Sequence, residues 1–418
     1  MNESRTIYFI PRYIGALKYY EKLFPALRLR GFEPRFLLFE DKGMIEYCKE
    51  RALACEVRFV RSGTHIPFFT PLMWEARLRS QFDGFLDEQP HALVTEPSVD
   101  QRTRALFKSA KVRGVKRYAL QWALHTDPRK PIHRSLYSRY LVLRNRYGSF
   151  ARLPFVGAYY LLLRVVFLIA DILRGGDTFI HPHHYAEKLG VIDGMLSDYF
   201  LWSGWQSDQI QIVGFADYSL IRDEVRSVEE DASKRAALLT RYGLEEKRAR
   251  ILILSHPFYT GRNSVYLDED EQRAYYNAVF DDVRSVYPES EATIIFKLHP
   301  REEKTVYTQF TKQGIRVYGN EADLNELIAL SDLYIAHPLT AANFIIRASS
   351  KPAIFINFSP LSYLDEGKEL YHLRGIVKSR EDFRAMLSEA RKNTLPLQYD
   401  AGGIDPDSLS RIIDFLTQ

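Results

Sequence analysis

Apolar positions in the first 125 residues gather into short runs separated by longer stretches of helical spacing. The runs TIYFI (6–10), PRFLLF (34–39), EVRFV (56–60), ALVTE (92–96) and RYALQW (117–122) predict strands. Between them, ALKYYEKLFPALRLRG and VDQRTRALFKSAKVRG repeat apolar residues with a helical period and close on glycine, a helix-stop signal. Strands alternating with helices predict a parallel sheet covered on both faces.

Residues 127–198 break this rhythm and read as a helical insertion, after which YFLWSG (199–204) and QIQIVGF (209–215) read as strands. A charge-rich helical stretch over 222–248 then leads into a second alternating unit. Its strands are expected at 250–254, 293–298, 315–318, 332–336 and 353–357, with helices near 269–286, 302–312, 322–330 and 340–348. The segments SREDFRAMLSEARKN and DPDSLSRIIDFLTQ add two helices. The pattern divides the chain into a first domain over 1–221 and a second over 222–418, as 418 residues require more than one ordinary core.

Composition adds little until it is mapped. A formal charge of +4 is too small to argue for a nucleic-acid partner. Its distribution is uneven, however: residues 128–170 contain no Asp or Glu but carry Arg129, Lys130, Arg134, Arg139, Arg144, Arg146, Arg152 and Arg164. The apolar run PFVGAYYLLLRVVFLIADIL (154–173) follows, interrupted by Arg164 and Asp171, and a charge near a bilayer centre costs roughly 3 kcal/mol or more. The expectation is a helix buried in protein or lying on an anionic membrane surface, not one spanning it. Two cysteines, Cys48 and Cys55, provide no disulfide framework. With an apparent strand from residue 6, no signal peptide is expected, and the expected location is cytoplasmic, at most peripheral to the inner face of the cell membrane.

Candidate chemistry sits at strand ends. ILILSHPF (251–258), ATIIFKLHPREE (292–303) and LYIAHPLTAANF (333–344) each close a predicted strand on His-Pro. Proline stops the strand and pins the turn, so His256, His299 and His337 belong to the edge where parallel sheets bind ligands. One strand-end histidine is commonly a capped turn; three, with Lys297, Pro300 and Arg301 beside His299 and Ser255 beside His256, favour a phosphate-binding edge. Thr340 and Ala341 are expected at a helix start, Thr340 as N-cap, where free N–H groups favour an anion. Neither G-x-G-x-x-G nor G-x-x-x-x-G-K-[ST] occurs. HPHH (181–184) has no matching Cys or acidic cluster, so no metal is expected. In the first domain Glu96, His125 and Asp127 stand at predicted strand ends, while Gly15 and Lys18 stand at a helix start.

KLHPRE and SDLYIAHPLTAANFIIRASSKPAIFIN resemble the His-Pro motif and following Ser/Thr-bearing helix of two-Rossmann (GT-B) bacterial glycosyltransferases, of the sialyltransferase, Kdo-transferase and CDP-glycerol glycerophosphotransferase kinds. QIQIVGFADYS is similar to the strand before their interdomain crossing. The resemblance implies a nucleotide-sugar donor, CMP- or CDP-linked, on the second domain and a glycan or lipid-linked acceptor on the first. It implies that His299 and Lys297 stabilise the leaving phosphate without a metal or other cofactor, and that the base is His125, Asp127 or Glu96. There are departures. The acidic Asp/Glu-Asp/Glu-Gly string that precedes His-Pro in sialyltransferases occurs here only as YLDEG (363–367), after it, and the Ser-Gly-Gly…Glu-Glu helix start of same-fold epimerases is missing. An epimerase or hydrolase of this fold, and a non-catalytic membrane-docked assembly protein, are the competing readings.

Overall fold

The computed structural model describes residues 5–39, 41–58, 82, 84–97, 101–122, 186–202, 204–258, 268–300, 302–359, 365, 367–400 and 404–418. The described residues form two α/β units, one from 5–122, 186–216 and 407–418, the other from 217–406.

The first unit carries an all-parallel sheet of order β3-β2-β1-β4-β5-β6-β7. Its strands are β1 (Thr6–Ile10), β2 (Glu33–Leu38), β3 (Cys55–Val57), β4 (Ala92–Thr95), β5 (Lys116–Leu120), β6 (Lys188–Val191) and β7 (Ile210–Ile212). Central β1 and β4 are buried on both faces, as a sheet covered by helices requires. Tyr8, Leu93, Phe85 and Leu106 form part of one core layer.

Two sequence expectations are corrected here. The run YFLW lies in the helix Gly194–Trp202, whose start is held by the Asp193 carboxylate accepting from Leu196 N–H at 2.9 Å. A short aromatic run suits a buried strand or a buried helix equally, and here Leu196 and Phe200 face inward one turn apart. The strand at this point is instead KLGV, four residues that the helical reading of 127–198 had absorbed. Its Gly190 is closely packed: an added β-carbon would meet Leu120, Val213 and Phe415 at 3.0–3.1 Å. Phe415 lies on the last helix, Ser408–Thr417, which packs in the first unit and not with the second half of the chain. The Tyr118 and Phe415 rings pack at 5.1 Å, tilted by 50°, and Gly214, at φ +80°, leaves room for Ser408. The stripe Ile412, Ile413, Phe415 and Leu416 announces burial but not which sheet it covers.

The second unit has a parallel sheet of order β10-β9-β8-β11-β12. Its strands are β8 (Ala249–Leu254), β9 (Ala292–Lys297), β10 (Arg316–Tyr318), β11 (Leu333–Ala336) and β12 (Ala353–Phe355). The longest described helix, Glu269–Val286, starts with a reciprocal cap between Asp268 and Glu271 and lays Tyr276, Val279, Phe280 and Val283 on the sheet. The helices Ala216–Glu230 and Ala232–Arg241 occupy the charge-rich stretch, and the break between units falls at residue 216, slightly before the expected 221. Most of the insertion, including 128–173 and the HPHH segment, lies outside the described residues.

Candidate functional site

From β8 the chain adds β9 and β10 on one side, then β11 and β12 on the other, so the strand order reverses between β8 and β11. Strand ends diverge at such a switch point and leave a crevice for a ligand. His256-Pro257 follows β8 and His337-Pro338 follows β11, so two of the His-Pro turns flank the switch point. The other, His299-Pro300, follows β9, which pairs with β8 up to Leu254 opposite Lys297. The His256 and His337 rings are 5.3 Å apart, with Phe258 at 4.9 and 4.8 Å from them and Tyr275 at 5.5 Å from His337.

Burial sets the charge of two of the three histidines. Burial, aided by the neighbouring His299, pushes His256 down to about 3, and its backbone N–H donates to Tyr276 Oη at 2.6 Å. His337 is 1 % exposed; burial, then His256, holds it well below its usual range, and among the described residues neither ring nitrogen has a hydrogen-bond partner. Both imidazoles are therefore neutral at physiological pH. Half-buried His299 is the partner that lowers His256.

Lys297, expected to face a phosphate, is nearly buried and donates to the Gly319 carbonyl at 2.6 Å. Pro300 is exposed and its carbonyl accepts from Asn320 at 3.3 Å. Arg301 lies outside the described residues. Thr340 is not the helix cap: the helix is Ala342–Ser349, preceded by Ala341, with no side-chain cap. The backbone tightens there by i→i+3 bonds, Asn343 N–H to Thr340 O at 3.1 Å and Phe344 N–H to Ala341 O at 3.2 Å. A threonine after proline and leucine resembles a cap in sequence, but the tight first turn leaves its hydroxyl out of that role.

Several contributors were not singled out from the sequence. Glu302 accepts from Ser255 Oγ, from His299 N–H at 2.8 Å, and from Gln272 Nε2 and Tyr307 Oη, each at 2.5 Å. The signal for it was present, since an acid three residues after a turn residue reaches back to that residue's N–H, as in a capping box. Fully buried Asn343 donates to the carbonyls of His337 at 3.0 Å and Pro338 at 2.7 Å, clamping the third turn. Gly367 packs on the same turn, where an added β-carbon would stand 2.0 Å from Pro338 O. In YLDEG, Asp365 accepts from Asn357 at 2.8 Å and pairs with Lys378.

In the first unit the order reverses between β1 and β4. Glu96, 3 % exposed, stands at the end of β4 and accepts from Arg12 N–H, just past β1, at 2.9 Å. Gly15 lies under Trp122, whose ring would be 2.9 Å from an added β-carbon. Lys18 turns to the Tyr47 ring, 5.4 Å away. His125 and Asp127 lie outside the described residues. Among the described residues, no group of His, Cys, Asp or Glu is arranged to hold a metal ion, and no helix is long and apolar enough to cross a membrane.

No protein-family model and no curated protein matches the chain. Solved structures do. A UDP-GlcNAc 2-epimerase from Methanocaldococcus jannaschii aligns over 99 % of both chains with TM-score 0.59 at 13 % identity. A glycosyltransferase from Rickettsia africae aligns over 100 % of this chain and 93 % of its own, with TM-score 0.53 and 11 % identity. The wall teichoic acid polymerase TagF, as a variant, aligns over 99 % and 88 %, with TM-score 0.56 and 10 % identity. At these identities the likeness is one of fold: the chain has the α/β, two-Rossmann-like GT-B fold.

Proposed function

We propose that the chain is a glycosyltransferase that takes its sugar from a nucleotide-activated donor, CMP- or CDP-linked, bound at the second unit. The observation that carries this reading is the coincidence of the topological switch point with the His-Pro turns after β8 and β11, the His299 turn lying on the next strand. The chemistry is divided among them. Neutral His256 and His337 can offer hydrogen bonds but no charge, which leaves His299 as the imidazole suited to donate a proton or charge to the departing phosphate. This narrows the sequence-based idea of a cationic cluster to His299 and its immediate neighbours. The reaction in this reading needs no metal or other cofactor.

The acceptor is a glycan or a lipid-linked glycan taken by the first unit, where Glu96 is the described candidate for the base; His125 and Asp127, outside the described residues, are the other candidates. The acid-free basic stretch 128–153 supports an acceptor at an anionic surface, each cation there contributing about 1 kcal/mol. Salt-sensitive pelleting with anionic liposomes, lost when Arg139, Arg144 and Arg146 are changed to Glu, tests this part; protein that stays in the supernatant at low salt removes it.

A thermal-shift panel of CMP, CDP, UDP and GDP tests the donor, because a ligand that binds only the folded chain raises its melting temperature. CMP or CDP is expected to give the largest shift; no shift with any of the four at millimolar concentration overturns every nucleotide-based reading. The epimerase alternative draws on M. jannaschii UDP-GlcNAc 2-epimerase, solved with UDP-GlcNAc and UDP. It predicts turnover of UDP-GlcNAc alone, whereas a transferase requires the acceptor.

A further inference from the structure

We infer that Glu302 is the positioning residue of the nucleotide site: its carboxylate holds the His299-Pro300 turn against the Ser255 end of β8. This rests on the nucleotide reading above and adds to it the group that sets the geometry of two ligand-edge turns.

The carboxylate collects donors from four parts of the second unit. One oxygen takes Ser255 Oγ, at the end of β8, and His299 N–H at 2.8 Å; the same N–H also lies 2.6 Å from Ser255 Oγ. The other takes Gln272 Nε2 from the helix Glu269–Val286 and Tyr307 Oη from the turn Lys304–Tyr307, each at 2.5 Å. Gln272 also donates to Tyr307 Oη. Glu302 N–H closes the turn onto His299 O at 2.9 Å. All four donors to the carboxylate are neutral groups.

Only an ionised carboxylate fits this role. It has about four acceptor sites and no proton to place, whereas an amide of the same shape would set its own N–H groups against two of the donors. Keeping a charge there is costly, and burial accordingly raises the Glu302 carboxyl above its ordinary range, against the pull of Ser255, Tyr307, His299 and Gln272. The titratable groups around it are His299, Tyr276 and Tyr307, with Glu269 beyond Tyr307. On acidification Glu302 takes a proton at a higher pH than an ordinary glutamate, and a protonated carboxyl must donate at one of the four positions. One tether is then lost and the His299 turn is released.

The experiment uses the full chain and CDP as probe: calorimetric titration from pH 5 to 8 of wild type, Glu302→Gln and Ser255→Ala, with hydrogen exchange at the His299 amide. Glu302→Gln is expected to weaken CDP about tenfold at neutral pH, the size of a lost hydrogen bond to a charged group, and to lose protection at His299. Ser255→Ala, which removes one donor, gives a smaller loss of the same kind and decides the matter should the Gln variant not fold. Other groups that titrate over this range do so in both proteins. The readout is therefore the difference between profiles: an acid-side loss present in wild type and absent in Glu302→Gln. Unchanged CDP affinity and parallel pH profiles in folded variants overturn the inference while wild-type binding still stands. A wild type that does not bind CDP removes the CDP-site reading first, and this inference with it.

Discussion

The two switch points are built differently. In the first unit a buried carboxylate, Glu96, accepts from the Arg12 backbone N–H, and the nearby features are a bare glycine under Trp122 and a lysine turned to an aromatic ring. In the second, three imidazoles sit on proline-pinned turns, each clamped by side chains: Tyr276 on His256, Glu302 and Ser255 on His299, Asn343 on His337. An edge held at every turn suits a ligand that must be fixed while its leaving group acquires charge. An edge that presents a buried carboxylate at a strand end suits a proton acceptor.

The largest effect should come from the first edge. Alanine at the true base among His125, Asp127 and Glu96 is expected to abolish transfer while CDP affinity stays within about twofold, since base and donor are assigned to different units. Near-normal rates in all three variants would erase the division of labour. Next, His299→Ala should lower turnover on the order of 100-fold in a folded protein, the usual loss of one preorganised group at developing charge. Wild-type turnover would return His299 to the role of a turn residue.

Glycine substitutions sharpen the contrast. Gly367→Ala drives a β-carbon against the Pro338 carbonyl, backbone that cannot swing aside. It is expected to cost about 1–3 kcal/mol by thermal melting and to weaken nucleotide binding. Gly15→Ala meets only the far end of the Trp122 ring and should leave nucleotide affinity unchanged. Equal effects of the two on nucleotide binding would show that the edges are not specialised.

The smallest effect is electrostatic. His256 titrates at about 3 in the folded chain against an ordinary 6.5. Its contribution to stability is complete above pH 6.5 and is lost progressively as pH falls towards 3, because the unfolded chain takes the proton first. By pH 5.5 the loss is about 1 kcal/mol. Melting curves of His256→Gln should therefore decline less steeply between pH 7.5 and 5.5 than those of wild type; identical slopes would mean that His256 is not held neutral.

Much of this could be read from the chain. The helix 269–286 was legible to the residue because its acidic start and apolar period agree, and the strand ends at His256, His299 and His337 were legible because proline truncates an apolar run. Legibility failed where local pattern does not decide. YFLW could satisfy a strand or a helix, KLGV is too short and too polar at its start to declare a strand, and the last helix gives no sign of which sheet it covers. Thr340 looks like a cap only until the tight turn after it is seen. Glu302 was not singled out, because its value lies partly in donors from residues 255 and 272, far away in sequence, beside the nearby Tyr307.

The most direct test of the central claim is a crystal structure of the full chain with CDP. The account predicts the diphosphate at the C-terminal ends of β8, β9 and β11, with a His299 ring nitrogen in hydrogen-bond contact with a phosphate oxygen. A nucleotide seated on the first unit, or on the second away from the His-Pro turns, would contradict it.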